Sequence, residues 1–291
     1  MNMRNNALDT SELEKKAIQI RKQLCVLANE IGVIHIGGML SAVDVVVALY
    51  YKYLNYDIND LMSDNRDRFL LSKGHCAILL YLVFCDLGVY SWEDVFESYH
   101  ELGHIYGQHP NRKNNKGIEA STGSLGHGLP LSVGMSLANR AKRISSRVYC
   151  LVGDGEMQEG SNWEAIMYAG SHKLSNLVCI VDFNKSTSCF KYGDNIVLDW
   201  KKAFEAFGWN VHIITGSSMK EVVDVMDTLP GVDYDYNQPP IAIISETQKG
   251  QNVDFMQGPA WHYGSLDSIH LQEALESIER YARSEASENG R

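Results

Sequence analysis

Gly153-Asp154-Gly155-Glu156-Met157-Gln158-Glu159-Gly160 follows the apolar run Val148-Tyr149-Cys150-Leu151-Val152 and precedes Asn184-Lys185-Ser186, which begins thirty residues after the aspartate. The stretch between reads as a helix over 162–173, then a second apolar run, Leu177-Val178-Cys179-Ile180-Val181. Strand, glycine turn, helix and strand make a βαβ unit, whose crossover is expected to be right-handed. In the parallel sheet this implies, Asp154 and Asn184 stand at the carboxyl ends of neighbouring strands, where open α/β sheets bind ligands. A carboxylate, an amide oxygen and a nearby backbone carbonyl suit a hard cation. Mg²⁺ takes about six oxygens at roughly 2.0–2.1 Å, and phosphates and water can complete the shell. Gly153 and Gly155 let the backbone approach a phosphate with no Cβ in the way.

Outward from this unit, the chain alternates helices and strands. Ser11-Glu12-Leu13-Glu14 has capping-box spacing and opens a helix with Leu13, Ala17, Ile20, Leu24 and Leu27 at helical intervals, ending near Gly32. A glycine-containing loop, Val33-Ile34-His35-Ile36-Gly37-Gly38-Met39-Leu40-Ser41, leads to a helix over 43–50. Arg66-Asp67-Arg68-Phe69-Leu70-Leu71-Ser72-Lys73-Gly74-His75 is a charged turn, a short strand and a Gly-His at the mouth of an apolar helix, a place that favours anions. His100, His104 and His109 lack zinc-site spacing, so no such metal is expected there. His100 and His104 read as surface or packing residues, and Arg112, Lys113 and Lys116 as a solvated loop. The glycines of Gly123-Ser124-Leu125-Gly126-His127-Gly128, set before a helix over 132–141, point to close backbone approach by a ligand or another chain. Beyond Asn184 come a helix over 200–207, a strand over 209–214, a helix over 219–229 and a buried strand over 241–245. A helix over 267–283 and a frayed tail over 284–291 are expected to close the chain.

The 291 residues are 45% hydrophobic and 21% charged, with net charge −10, an ordinary globular composition. Nothing in that balance favours nucleic acid, so anionic ligands need local cations. The apolar run from Cys76 to Cys85 is too short to span a bilayer, and residues 1–6 lead into no apolar core of a secretory signal. Six cysteines form no C-x-x-C pair and read as reduced thiols of a cytoplasmic protein.

The GDG-to-Asn spacing resembles the thiamine diphosphate motif, and "GDGEMQEGSNWEA" resembles its transketolase version. Four further segments resemble that family in family order. The loop around His35 is similar to "GSGHPGGSLSA", with Ile34 and Ile36 where the family has a glycine and the proline. "RDRFLLSKGH" matches its phosphate-side segment, "YGQHPN" is similar to "LQGHP", and "ETQKGQNVDFMQGPAWHYG" is similar to "KTVKGKGVSFMENNPKWHG". The resemblance runs over about residues 12–265. It implies one α/β domain, a mostly parallel sheet with helices on both faces, binding thiamine diphosphate and Mg²⁺.

What the resemblance implies can be set out residue by residue. His35, His109 and His262 would serve substrate, and His75 and His262 would contact the diphosphate. Gly123, Ser124 and Leu125 would meet the aminopyrimidine ring through backbone groups, and Gly155 and Asn184 would also face the cofactor. Glu159 would join carboxylates linking two cofactor sites across a subunit interface. Asp154, Asn184 and the carbonyl of Ser186 would hold the metal. The family usually has Gln at the position of His127 and a polar residue at that of Phe183; Lys249 reads as a loop lysine that fixes a turn. The implied reaction moves a two-carbon ketol unit from a ketose, or its phosphate, to an aldose. Transketolases add a pyrimidine-binding domain, and this length matches the amino-terminal subunit of split enzymes. A separate carboxyl-terminal subunit in an α2β2 heterotetramer is therefore expected. Two alternatives share the motif: the α-subunit of a 2-oxoacid dehydrogenase, and a thiamine-fold subunit weak in catalysis.

Overall fold

Five parallel strands form the sheet: β1 (Arg68–Leu71), β2 (Val148–Gly153), β3 (Leu177–Phe183), β4 (Asn210–Thr215) and β5 (Ile241–Glu246), in spatial order β1-β2-β3-β5-β4. The computed structural model describes residues 7–99, 101–194, 196–232 and 237–289; His100 lies outside them. Apolar residues on both faces explain why these runs become strands covered by helices on both sides. Phe69, Tyr149, Leu151, Val178, Ile180 and Ile243 face one layer, and Leu70, Cys150, Val152, Cys179, Val181 and Ile244 face the other.

The first layer packs α1 (Thr10–Glu30), α2 (Ile36–Leu40), α3 (Val43–Ala48) and α4 (Ala77–Asp86) against the sheet. The second begins beyond the short α5 (Trp92–Ser98), with α6 (Gly128–Lys142), α7 (Gly160–Ser171) and α8 (Trp200–Ala206). The chain then returns through α9 (Met219–Asp227) and α10 (Ser268–Asn289) to the first layer. The α/β reading with helices on both faces is borne out. Among the described residues no helix is long and apolar enough to cross a membrane.

Several boundaries differ for local physical reasons. The α1 capping box uses Asp9 and Glu12 rather than Ser11 and Glu14, because Asp9 is extended while its carboxylate accepts from Glu12 N. The helix expected over 43–50 relaxes into a π turn over Leu49–Tyr53. A 3-10 turn, Glu156–Gln158, separates the Gly153-Asp154-Gly155 turn from α7, which starts at Gly160. The backbone of α10 continues to Asn289 through the region expected to fray. Five cysteines are buried as expected, whereas Cys189 is exposed.

Candidate functional site

A cavity of about 450 Å³ opens at the carboxyl ends of β1, β2 and β3, lined among others by His35, His75, Gly123, Leu125, Asp154, Gly155, Asn184, Ser186 and His262. Each element brings its residue there for a local reason. β2 and β3 run in register from Val148↔Leu177 to Gly153↔Asp182, so Asp154 and Asn184 leave adjacent strand ends. Gly74 carries His75 past β1 and packs on the 122–123 backbone, where a Cβ would lie 2.8 Å from Gly123 N. Gly126 has φ +77°, and a Cβ there would overlap the Glu159 side chain at 2.5 Å.

The floor is a buried polar network. Asp182, at the end of β3, accepts from Ser41 Oγ at 2.7 Å, Thr247 Oγ1 at 2.5 Å, Asn184 Nδ2 at 3.2 Å and Lys73 Nζ. Asn184 Nδ2 also lies 3.3 Å from Ser41 Oγ. With both donors of the Asn184 amide engaged there, its Oδ1 remains buried with no hydrogen-bond partner among the described residues. A buried acceptor without a donor costs about 1–3 kcal/mol, which a cation would relieve. The Asp154 carboxylate accepts from Gly155 N at 2.8 Å and Ser186 N at 3.3 Å. Burial, and then the neighbouring Asp182 charge, push its pKa up to about 7. Both observations fit a hard cation between Asp154 and Asn184 Oδ1. No cluster of three His, Cys, Asp or Glu side chains suited to a metal occurs among the described residues.

Glu156 ties the floor to its surroundings by accepting from Gly126 N at 2.9 Å, Gly153 N at 3.1 Å and Ser72 Oγ. Arg66 and Glu119 form a buried bidentate pair, so the "RDRF" arginine anchors the 117–125 loop. Lys249 is corrected from a loop lysine to a cavity residue. It is 2% exposed, and its Nζ donates to Thr187 O at 2.7 Å and lies 3.3 Å from His262 Nδ1. Burial, and then the Lys73 charge, bring its pKa down to about 8.

Three imidazoles line the upper wall. The His35 ring centroid lies 5.0 Å from that of His75 and 5.1 Å from that of His262, and the last two are 5.4 Å apart. Burial, with help from Lys73, holds the His75 pKa well below the usual histidine range. Burial and Lys249 bring His262 to about 4. Both rings are therefore neutral near neutral pH, able to donate from one nitrogen and accept at the other. Two lysines beside them suit a polyanion.

Three predicted site residues lie outside this lining. His109 is exposed and stands against Gly123, where a Cβ would meet its ring at 3.2 Å. Ser124 and Glu159 are exposed too. Phe183 faces away from the floor, packing on Tyr192 at 4.7 Å and Trp200 at 6.3 Å. An apolar residue before Asn184 is thus explained by the aromatic cluster behind the strand. Sequence reasoning missed Lys73, Asp182 and the cavity role of Lys249. The first two carried a signal: charges next to strand ends that are otherwise apolar.

An open parallel sheet with a polar cavity at its carboxyl edge defines an α/β protein of the class that binds ligands at its strand ends. The family described as "Transketolase, thiamine diphosphate binding domain" matches residues 14–266, and the chain belongs to it. The chain is 37% identical over 274 residues to an apulose-4-phosphate transketolase subunit from Actinobacillus succinogenes, covering 93% of this chain and 97% of that one. It is 32% identical to the 6-deoxy-6-sulfo-D-fructose transketolase subunit SqwG of a Clostridium species, covering 92% and 97%. The crystal structure of Campylobacter jejuni transketolase superposes with a TM-score of 0.81 at 28% identity, over 93% of this chain but 42% of that one.

Proposed function

We propose that this chain is the diphosphate-binding subunit of a two-chain, thiamine diphosphate- and Mg²⁺-dependent transketolase. In this reading residues 1–291 form one domain with its core over about 12–265, acting in the cytoplasm within an α2β2 heterotetramer that includes a separate pyrimidine-binding subunit. The observation that carries it is the Asn184 Oδ1 left without a partner among the described residues, beside the buried Asp154, in a cavity that His35, His75, His262 and Lys249 also line. Relatives matched over nearly their full length are named as transketolase subunits, which supports the partner and a phosphorylated or sulfonated ketose as donor. Neither relative's name favours a 2-oxoacid dehydrogenase.

When bound, thiamine diphosphate supplies the nucleophilic carbon and the electron sink for cleaving a ketose carbon–carbon bond. This chain's residues bind, orient and handle protons around that chemistry. Asp154, Asn184 and the Ser186 carbonyl would hold Mg²⁺ on the diphosphate. His75, His262 and Lys249 would donate to its oxygens, and backbone groups of Gly123, Ser124 and Leu125 would meet the pyrimidine. His35, His109 and His262 would hydrogen-bond substrate oxygens, and His109 and His262 would also move their protons. Glu159, exposed beside Gly126, would complete a carboxylate link at the subunit interface. Reconstitution with a pyrimidine-binding subunit tests the reading. Mg²⁺-dependent turnover of a ketose phosphate with an aldose acceptor is expected, and turnover of pyruvate instead would overturn it.

A further inference from the structure

At the edge of the cavity, His35 makes a contact that the roles above leave unused. Gln108 Nε2 lies 2.9 Å from His35 Nδ1. An amide nitrogen only donates, so Nδ1 accepts, and the single proton of a neutral ring then sits on Nε2. Both partners are held in place. The backbone on either side of Gln108 is pinned by Tyr81, a buried residue of α4, whose hydroxyl donates to Gly107 O at 3.1 Å and His109 O at 3.3 Å. Next to His35, Ile34 and Gly264 exchange two backbone hydrogen bonds of 2.9 Å. The ring itself is packed by Tyr263 at 4.5 Å and by His75 and His262.

We propose that Gln108 is a positioning residue that locks His35 in the Nε2–H tautomer, so that His35 meets substrate as a hydrogen-bond donor to an oxygen rather than as a base. The substrate group selected is therefore an acceptor, a carbonyl or hydroxyl oxygen. That the oxygen belongs to a ketose rests on the proposed function; the tautomer does not.

Long-range proton–nitrogen correlation spectra of the full chain, labelled with nitrogen-15 histidine, read the tautomer directly. Signals of His35 are identified by their loss in His35→Asn. The wild type is expected to show an unprotonated Nδ1. Gln108→Ala removes one hydrogen bond and should shift the tautomer ratio by roughly fivefold. Gln108→Glu should reverse the ratio, because a carboxylate accepts and draws the proton to Nδ1. Gln108→Met, similar in volume but without an amide, replaces the alanine variant if that chain folds poorly. A protonated Nδ1 in the wild type, or one tautomer in every variant, overturns the proposal. Failed ketose turnover by the reconstituted wild type would instead strike the proposed function.

Discussion

The floor and the wall of this cavity are built differently. Asp154, Asp182 and Asn184 sit at or just beyond the ends of adjacent parallel strands, buried, in a network closed by Ser41, Lys73 and Thr247. His35 of the wall, and Gln108, His109 and Tyr263 beside the cavity, stand on connections between elements, half-buried or exposed. The floor's positions follow from strand register, which brings the ends of β2 and β3 side by side. The wall's positions depend on how loops happen to cross. Under the proposed function, metal binding therefore falls to the floor and substrate contact to the wall.

The largest effect should come from removing a floor ligand. Asp154→Ala is expected to abolish Mg²⁺-dependent thiamine diphosphate binding by calorimetry, whereas His109→Ala should change that affinity only slightly. Equal losses would erase the distinction. Next, Asp182→Asn should weaken Mg²⁺ binding by about 10–100-fold, since the carboxylate that orients the Asn184 amide is gone. It should also lower stability by about 3–5 kcal/mol in urea unfolding, because the buried Lys73 loses its counter-charge.

A smaller effect concerns pH. The folded pKa of Asp154, about 7 in the metal-free chain, stands above the ordinary value of about 3.9. Ionising this group therefore opposes folding: its contribution to stability is fully present below about pH 4 and is lost as pH rises through about 7. Metal binding needs the carboxylate, so Mg²⁺ affinity should fall up to about tenfold per pH unit below 7 and level off above it. Titration calorimetry from pH 6 to 8 checks this; a flat profile would mean that Asp154 is ionised throughout and that the floor is less dry than its burial implies.

Much of the floor was legible before any coordinates. The spacing from Asp154 to Asn184, the apolar runs and the glycine turns carry the βαβ unit and the meeting of these two residues at adjacent strand ends, because strand periodicity and turn chemistry are local properties. Lys249 was not legible. A lysine in a polar loop looks solvated, and only the folding of the 247–262 segment over the cavity buries it against Thr187 and His262. Phe183 was misleading for the same reason, since which face of a strand end meets Tyr192 and Trp200 is decided by elements far along the chain.

The sequence by itself determined the alternation of strands and helices, the parallel sheet and the residues at its carboxyl edge. Tertiary structure alone decided that Asp182 orients Asn184, that Glu156 joins three segments, and that Gln108 reaches His35 across 73 positions of chain. Those are contacts between side chains brought together by packing, and no local pattern encodes which polar groups will share one buried space.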